Sequence, residues 1–256
     1  MAPALAPMSS LRERIDVLLV ERHLAPSRER ARALVLAGEV LVNDHRIDKA
    51  GERVPVEADI RLKHAPDKYV SRGAHKLVGA LDEFGASPAN RVALDVGAST
   101  GGFTQVLLER GAVLVHALDV GHNQLAWALR QDPRVRVYEG VNFRTYDPAA
   151  LDPRPAFATV DVSFIGLRHI LPVLAAALAP GGEAVVLVKP QFELGPEAVG
   201  KGGIVRDEAL RLQALTQARA AAEASGFTVR ASAESVLPGT AGNREYFLHL
   251  IREVPA

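Results

Sequence analysis

From residue 91 onward the chain alternates short, unbroken apolar runs with longer segments of helical spacing. RVALDV leads to a helix from about Gly102, then AVLVHALDV, a helix over NQLAWALRQ, VRVYEG, FATVDVSF and a helix near LRHILPVLAAALA. EAVVLVKP and a long helix over residues 207–224 follow. Apolar runs without period-two alternation suit strands buried on both faces, and strand-helix alternation joins such strands in parallel. The pattern therefore predicts an α/β fold with a doubly wound parallel sheet. FTVRASAES and EYFLHLI close the chain with no helix between them, which predicts an antiparallel hairpin at one sheet edge.

A smaller unit precedes this sheet. Within a stretch that starts at Leu11, Ile15, Leu18 and Leu19 recur at helical spacing, and Ala25-Pro26 breaks that helix. Ser27 is a suitable N-cap for a second helix, SRERARALVLAG, ended by Gly38 in the C′ role. EVLVN, a turn at Asp44-His45 and a closing strand at ADIRL complete a helix-pair-plus-hairpin module. The expected division is a disordered tail over 1–10, this small α+β module over 11–63, a linker over 64–70 and the sheet domain over 71–256.

Charge by itself gives the module no nucleic-acid signature, because residues 11–63 carry eleven basic and ten acidic side chains. Arg28 and Arg32, four apart, share one side of the second helix beside Ala31, Leu34 and Val35, as a solvated face also would. The order of features adds information. Two short helices with arginine at the start of the second, then AGEVLVN and a hairpin, resemble the αL-motif RNA-binding domain. That resemblance implies phosphate contacts for Arg28, Arg30 and Arg32. The following stretch, HAPDKYVSRGAHKL, is the most basic of the chain and adds Lys68 and Arg72 as RNA-binding candidates.

Composition narrows the chemistry. The chain has no cysteine, which removes disulfides, cysteine-based zinc sites and thiol nucleophiles. Thirty basic residues balance thirty acidic ones, so attraction to nucleic acid must come from local clustering. No apolar run approaches the roughly 20 residues of a membrane span, and MAPALAPMSS lacks the pattern of a secretory signal. A cytoplasmic monomer without metal is expected. Only six of the basic residues are lysine, so each lysine marks a place where a titratable point charge is preferred over a guanidinium.

ALDVGASTGGFT places Gly97, Gly101 and Gly102 between a strand and a helix, where a ligand can approach backbone N–H groups. The spacing is not G-x-G-x-x-G, and Asp95 at the strand end would repel a pyrophosphate. The cationic S-adenosylmethionine suits it better, with Asp95 near its ammonium, although another nucleotide is compatible with a glycine-rich turn. Asp119, ending the second strand, can accept from both ribose hydroxyls. Glu139 or Asn142 could reach the adenine edge or cap their own loop. Ser99 stands where the common methyltransferase pattern D-x-G-x-G-x-G has its middle glycine. The closing edge hairpin is also usual for a Rossmann-like methyltransferase.

Ligands of doubly wound sheets bind beyond the carboxyl ends of the strands. Asp161 in DVSF and Lys189 in VKPQ lie at the ends of the fourth and fifth strands, so they are expected to be neighbours. Lys76 begins the helix before the first strand and Glu245 begins the last strand, which allows all four to converge over a cofactor's methyl. Such a set suits transfer to a ribose 2′-hydroxyl, because a lysine desolvated beside another cation can accept the proton lost on attack. An ion-pair network at a sheet edge would use the same residue types.

YVSRGAHKL, ALDVGASTGGFT, DVSFI, VKPQFE, VGKGGIVRD and GNREYF occur in this order and resemble the TlyA, or haemolysin A, family of ribosomal RNA cytidine 2′-O-methyltransferases. The resemblance spans nearly the whole chain. It implies an FtsJ-like domain with a catalytic tetrad of Lys76, Asp161, Lys189 and Glu245, and ribosomal RNA of the small or large subunit as partner; the glycine-rich loop and the strand ends give Asp95, Gly97, Ser99, Gly101, Gly102, Asp119, Asn142 and Asp161 as the expected S-adenosylmethionine set. It also implies an interdomain linker at PDKYV that couples RNA binding to cofactor binding. VGKGGIVRD reads as a lid with Lys201 and Arg206 on phosphates, or as a plain helix entry. Phe164 and Phe192 could stack on an extruded cytosine or pack in the core. A non-catalytic RNA-binding assembly factor and a membrane-lytic protein are the competing classes.

Overall fold

The computed structural model describes residues 11–63, 67–239 and 241–254, and the chain divides into two compact units between Lys68 and Tyr69. The expected tail over 1–10 and linker residues 64–66 lie outside the described residues.

The first unit begins with a strand, β1 (Arg12–Arg14), just ahead of the residues whose helical spacing starts at Ile15; the sequence pattern does not mark it. β1 pairs antiparallel with a later strand, and that pairing claims residues whose local pattern suited either structure. Then come α1 (Ile15–Glu21), α2 (Arg28–Leu36), β2 (Val40–Val42), β3 (His45–Arg46), β4 (Arg53–Pro55) and β5 (Ile60–Leu62). β4 is the partner of β1, and β2 lies between β3 and β5 in a three-stranded sheet. Ser27 caps α2 by accepting from the Arg30 N–H at 3.2 Å, and Gly38 follows it at φ +72°. The β2–β3 turn is Asn43-Asp44, both at positive φ, one residue earlier than predicted; His45 already pairs with Val42.

Ile15, Leu19, Ala31, Val35 and Val40 form the fully buried centre of this unit. Beneath α2 lies Asp16, also fully buried, which accepts from Arg14 (2.9 Å), Arg32 (3.1 Å) and Arg28 (3.2 Å). Arg14, with help from Arg32 and Arg28, holds the Asp16 carboxyl well below the usual carboxylate range. Three guanidinium groups around one carboxylate leave a positive surplus, and Arg28 and Arg32 remain about half exposed.

The second unit runs through α3 (Gly73–Phe84), β6 (Val92–Val96), α4 (Gly102–Glu109), β7 (Leu114–Asp119), α5 (Trp127–Arg130) and β8 (Val135–Glu139). It continues with β9 (Phe157–Val160), α6 (Leu171–Ala177), β10 (Glu183–Val188), α7 (Pro190–Glu193), α8 (Glu208–Ala224), β11 (Phe227–Glu234) and β12 (Tyr246–Arg252). The strand order is β11-β12-β10-β9-β6-β7-β8. β8, β7, β6, β9 and β10 are parallel, and β12 runs antiparallel between β10 and β11. The order reverses between β6 and β9, so the crevice of the sheet opens beyond their carboxyl ends.

Burial explains this arrangement. Val185, Val186, Leu187 and Val188 of β10 are all at most 1% exposed, each worth roughly 1.5–3 kcal/mol relative to an exposed position. Their register leaves no freedom to the residue that follows. Pro190 opens α7 at its first turn, where a missing N–H costs nothing, so the strand ends and Lys189 stands at the corner. The predicted helix over NQLAWALRQ shrinks to Trp127–Arg130, because Ala126 is extended and its N–H bonds the Thr100 carbonyl at 3.1 Å.

Candidate active site

The loop from β6 to α4 passes against the end of β9. Gly97 and Ala98 both donate to the Leu118 carbonyl, at 2.8 and 3.0 Å, and Gly97 adopts φ +85°. A Cβ at Gly97 would lie 2.2 Å from the Asp161 carbonyl oxygen, so this glycine is required by space as well as by conformation. Ser99 also adopts positive φ, at +47°, which explains why glycine is common at that position. Its N–H donates to the Asp119 carboxylate at 2.7 Å, and such a charge-assisted bond, about 1.5–3 kcal/mol, offsets the strain.

Asp95 departs from its expected role. It is fully buried beneath the loop, accepting from the Thr104 hydroxyl at 2.7 Å and the Thr159 hydroxyl at 2.9 Å, and it does not line the cleft. It joins α4 to β9 as an internal brace rather than facing a ligand's ammonium. Burial pushes its carboxyl up to about 6, against the hydrogen bonds from Thr104 and Thr159 and with a repulsive contribution from Asp161. A folded-state pKa above the ~3.9 of an unfolded aspartate means stability that is full below about pH 4 and lost as the pH rises through 6. Two units correspond to about 3 kcal/mol. Comparing wild type with Asp95→Asn by thermal unfolding, the stability difference is expected to move in the variant's favour by roughly that amount between pH 4 and 8. A difference independent of pH would remove Asp95 as a titrating brace.

Two connected hollows lie beyond the strand ends. One, of about 450 Å³, is lined by Gly97, Ser99, Asp119, Asn142 and Asp161 with an apolar floor that includes Leu118, Val141 and Phe143. Asp119 there accepts from the Ser99 and Gly121 N–H groups, and Asn142 accepts from the Arg144 N–H while still lining the hollow. Glu139 instead bonds Arg130 and the Gln124 N–H and is a loop anchor. An apolar slot with a carboxylate at its rim fits a nucleoside, and the volume falls in the ~300–1,000 Å³ range of small-molecule sites. Gly101 shapes the loop at φ +97°, and Gly102 lets α3 approach, since a Cβ there would meet Ser71 Oγ at 2.2 Å.

The second hollow is lined by Lys76, Asp161, Lys189 and Glu245 together, with Ser71, Arg72, Gly97, Ser99 and Gly102. Lys189 Nζ lies 2.5 Å from Asp161 Oδ1, and Lys76 Nζ donates to Glu245 Oε2 at 2.6 Å. Thus all four expected residues converge, and they do so as two ion pairs. The Lys76, Lys189 and Glu245 side chains are 11%, 12% and 3% exposed, whereas Asp161 is 24% exposed. Lys189 also donates to Ser163 Oγ at 3.1 Å, a partner that lay unremarked within DVSF. Ser71, within YVSRG, was likewise passed over; neither serine has a chemistry that singles it out in sequence.

Other candidates separate by location. Arg72 lines the charged hollow, and Lys201 and Arg206 are exposed on and after the glycine-rich loop. Phe164 is 90% exposed at φ +63°, which excludes core packing for it. Its ring lies 5.1 Å from that of Phe192, and Lys189 Nζ lies 5.9 Å from the Phe192 centroid. Arg28, Arg30, Arg32 and Lys68 are exposed in the first unit, Arg28 and Arg32 sharing Asp16. Among the described residues no group of three or more acidic, histidine or cysteine side chains could hold a metal ion.

Comparison with known proteins agrees with this geometry. Residues 69–252 match the FtsJ-like methyltransferase family, and residues 13–60 match the S4 domain. The 16S/23S rRNA (cytidine-2′-O)-methyltransferase TlyA of Mycobacterium tuberculosis is 47% identical over 93% of this chain and 90% of its own length. A structure described as a hemolysin from Streptococcus thermophilus superposes with a TM-score of 0.74 at 45% identity, covering 96% of this chain and 90% of that one. An S-adenosylmethionine-dependent methyltransferase structure from Listeria monocytogenes shares the fold at 15% identity, with a TM-score of 0.54 over 72% of this chain and 100% of that one. The chain belongs to the FtsJ-like methyltransferases, in the TlyA family, with an S4 domain ahead of the catalytic sheet.

Proposed function

We propose that this chain transfers the methyl group of S-adenosylmethionine to the ribose 2′-hydroxyl of a cytidine in ribosomal RNA, within a ribosomal subunit. The observation that carries the reading is the pair of ion pairs, Lys189–Asp161 and Lys76–Glu245, lining one hollow beside the glycine-rich loop. The rRNA and cytidine assignments rest on the TlyA relative, and the S4 match supports RNA binding through the first unit.

S-adenosylmethionine fits the neighbouring slot, with Asp119 at the ribose, Asn142 toward the base and Gly97, Ser99, Gly101 and Gly102 shaping the loop; bound there, it supplies an electrophilic methyl. Lys189, paired with Asp161 as an ammonium in the resting protein, first gives up one proton to solvent, and the neutral Nζ then receives the proton of the attacking 2′-hydroxyl. Asp161 and Ser163 fix the direction of that amine, which places the proton acceptor before the reaction begins. Lys76, held by Glu245, offers a positive charge to the oxygen as it becomes negative. Arg72 joins it at the rim, where a phosphate of the same nucleotide would pass. Arg28, Arg30, Arg32, Lys68, Lys201 and Arg206 supply phosphate contacts, with Asp16 presenting Arg28 and Arg32 in fixed positions. Phe164 offers an exposed face for the target base.

Incubating the protein with S-adenosylmethionine and each purified ribosomal subunit, then mapping ribose methylation, is expected to show one or a few cytidine 2′-O-methyl positions. Cofactor binding without methyl transfer to any rRNA would leave a non-catalytic RNA-binding assembly factor. Lysis of membranes by the pure protein would favour the hemolysin description; among the described residues no helix is long and apolar enough to cross a membrane.

A further inference from the structure

Asn243 occupies an unusual place for an amide. It is 2% exposed, two residues before Glu245, and it spends both ends of its side chain on a segment some forty positions away. Its Oδ1 accepts from the Val205 N–H at 2.9 Å, and its Nδ2 donates to the Gly203 carbonyl at 2.7 Å. Its own carbonyl accepts from the Gly239 N–H at 2.9 Å, so the backbone that presents the amide is itself tied down.

The segment it grips is the glycine-rich loop. Gly200 donates to the Ile204 carbonyl at 3.1 Å and Gly203 to the Gly200 carbonyl at 3.0 Å, so residues 200–204 form a small closed hairpin. Gly202 and Gly203 adopt φ of +83° and +75°, and a Cβ on either would meet nothing within 4 Å. Lys201 at the tip is exposed, whereas Val205 at the base is 2% exposed. Such a hairpin has little packing of its own. Its seat is set by the buried Val205 and by Asn243.

Both sides of this joint face the same space. Gly202, Gly203, Asn243 and Glu245 line a cavity of about 360 Å³ together with Lys189 and Phe164. On the other side, a Cβ at Gly239 would lie 2.3 Å from Glu245 Oε1, so Gly239, whose N–H bonds the Asn243 carbonyl, passes close to the carboxylate holding Lys76. A shift of the hairpin therefore has a short mechanical route to the Lys76–Glu245 pair.

We propose that Asn243 is a positioning residue that couples the seat of the 200–204 hairpin to Glu245, so that a ribose-phosphate backbone engaged by Lys201 is registered against the catalytic pair. This deepens the ribose-methylation reading and rests on it. Asn243 touches neither reacting atom and acts through the hairpin and the turn. In the unbound protein the two hydrogen bonds hold the hairpin seated. Removing them frees the tip, while the residues that shape the cofactor slot, Gly97, Ser99, Asp119 and Asn142, line it without Asn243.

The test is a cycle of Asn243→Ala, Lys201→Ala and the double variant, read by steady-state methyl transfer to the ribosomal subunit that the wild type modifies. Asn243→Ala is expected to lower kcat about 10-fold or more with S-adenosylmethionine affinity within about 3-fold, since a lost positioning contact acts on the assembled complex. It is also expected to speed tryptic cleavage after Lys201 by about 10-fold or more in the absence of RNA. Lys201→Ala is expected to raise KM for the subunit in the wild-type background and to change little in the Asn243→Ala background. Additive effects of the two substitutions overturn the coupling. So does a loosened hairpin with unchanged kcat, or a fall in kcat with tryptic cleavage unchanged. Should Asn243→Ala not fold, Asn243→Ser, which retains one acceptor, carries the same readings. Absence of methyl transfer by the wild type would fail the ribose-methylation reading instead, and the tryptic measurement would still report whether Asn243 holds the hairpin.

Discussion

Lys189→Ala is expected to lower kcat for methyl transfer by about 10²–10⁴-fold, the usual contribution of a positioned proton acceptor, with S-adenosylmethionine affinity nearly unchanged. The amine lies against Asp161 and Ser163 and lines the charged hollow rather than the nucleoside slot, which is why binding and chemistry are expected to separate. Stability should change less than the ~3–5 kcal/mol typical of breaking a fully buried pair, because Asp161 is 24% exposed and can take water in place of the ammonium. Lys189→Arg sharpens the test. A guanidinium keeps the positive charge but does not give up a proton near neutral pH, so it is expected to restore the pairing and not the rate. Full activity in Lys189→Arg would assign the residue an electrostatic role only, and full activity in Lys189→Ala would remove it from the mechanism.

Gly97→Ala is expected to be the most damaging small substitution in the cofactor loop. Left-handed backbone costs a non-glycine residue about 1–3 kcal/mol, and overpacking against a fixed neighbour a further 1–3 kcal/mol. The neighbour here is the carbonyl oxygen of Asp161, 2.2 Å from the added Cβ, and it belongs to backbone bonded into the sheet through the Val96 carbonyl. Relief therefore requires the loop to move away from the end of β9, and with it Ser99 from Asp119. A loss of about 2–6 kcal/mol in denaturant unfolding and at least a 10-fold weaker S-adenosylmethionine affinity by calorimetry are expected. Gly202→Ala is the control: φ is also positive, at +83°, but the Cβ meets open space, so only the conformational part of the cost should appear. Equal losses in the two variants would show that crowding at Asp161 contributes nothing.

How much of this was legible without coordinates depends on the range of the interaction. Ser27 and Gly38 were readable because capping is decided within a few residues. β1 was missed because Arg12–Arg14 become a strand only when β4, about forty residues later, pairs with them. The short α5 has the same origin: its apparent N-terminal half is drawn into extended backbone by a hydrogen bond to Thr100. Asp95 had the right residue type in the right place, yet Thr104 and Thr159 turn it inward, and no local feature of ALDV announces those partners.

The sequence by itself determined the strand-helix alternation, the closing antiparallel strands and the presence of Lys76, Asp161, Lys189 and Glu245 at element ends. These follow from period and length, because a run such as Val185–Val188 has one favourable environment and the residue after it must stand at the sheet's rim. Tertiary structure alone decided the pairing. Asp161 took Lys189 and Glu245 took Lys76, since β9 and β10 are neighbours while α3 and β12 bring the second pair together from 169 residues apart. It also decided that Ser163 would steady the lysine, that Asn243 would grip a distant loop, and that one buried aspartate would gather Arg14, Arg28 and Arg32. A charge in sequence carries no record of its partner, because partners are chosen by which strand ends the folded sheet places within a few ångströms.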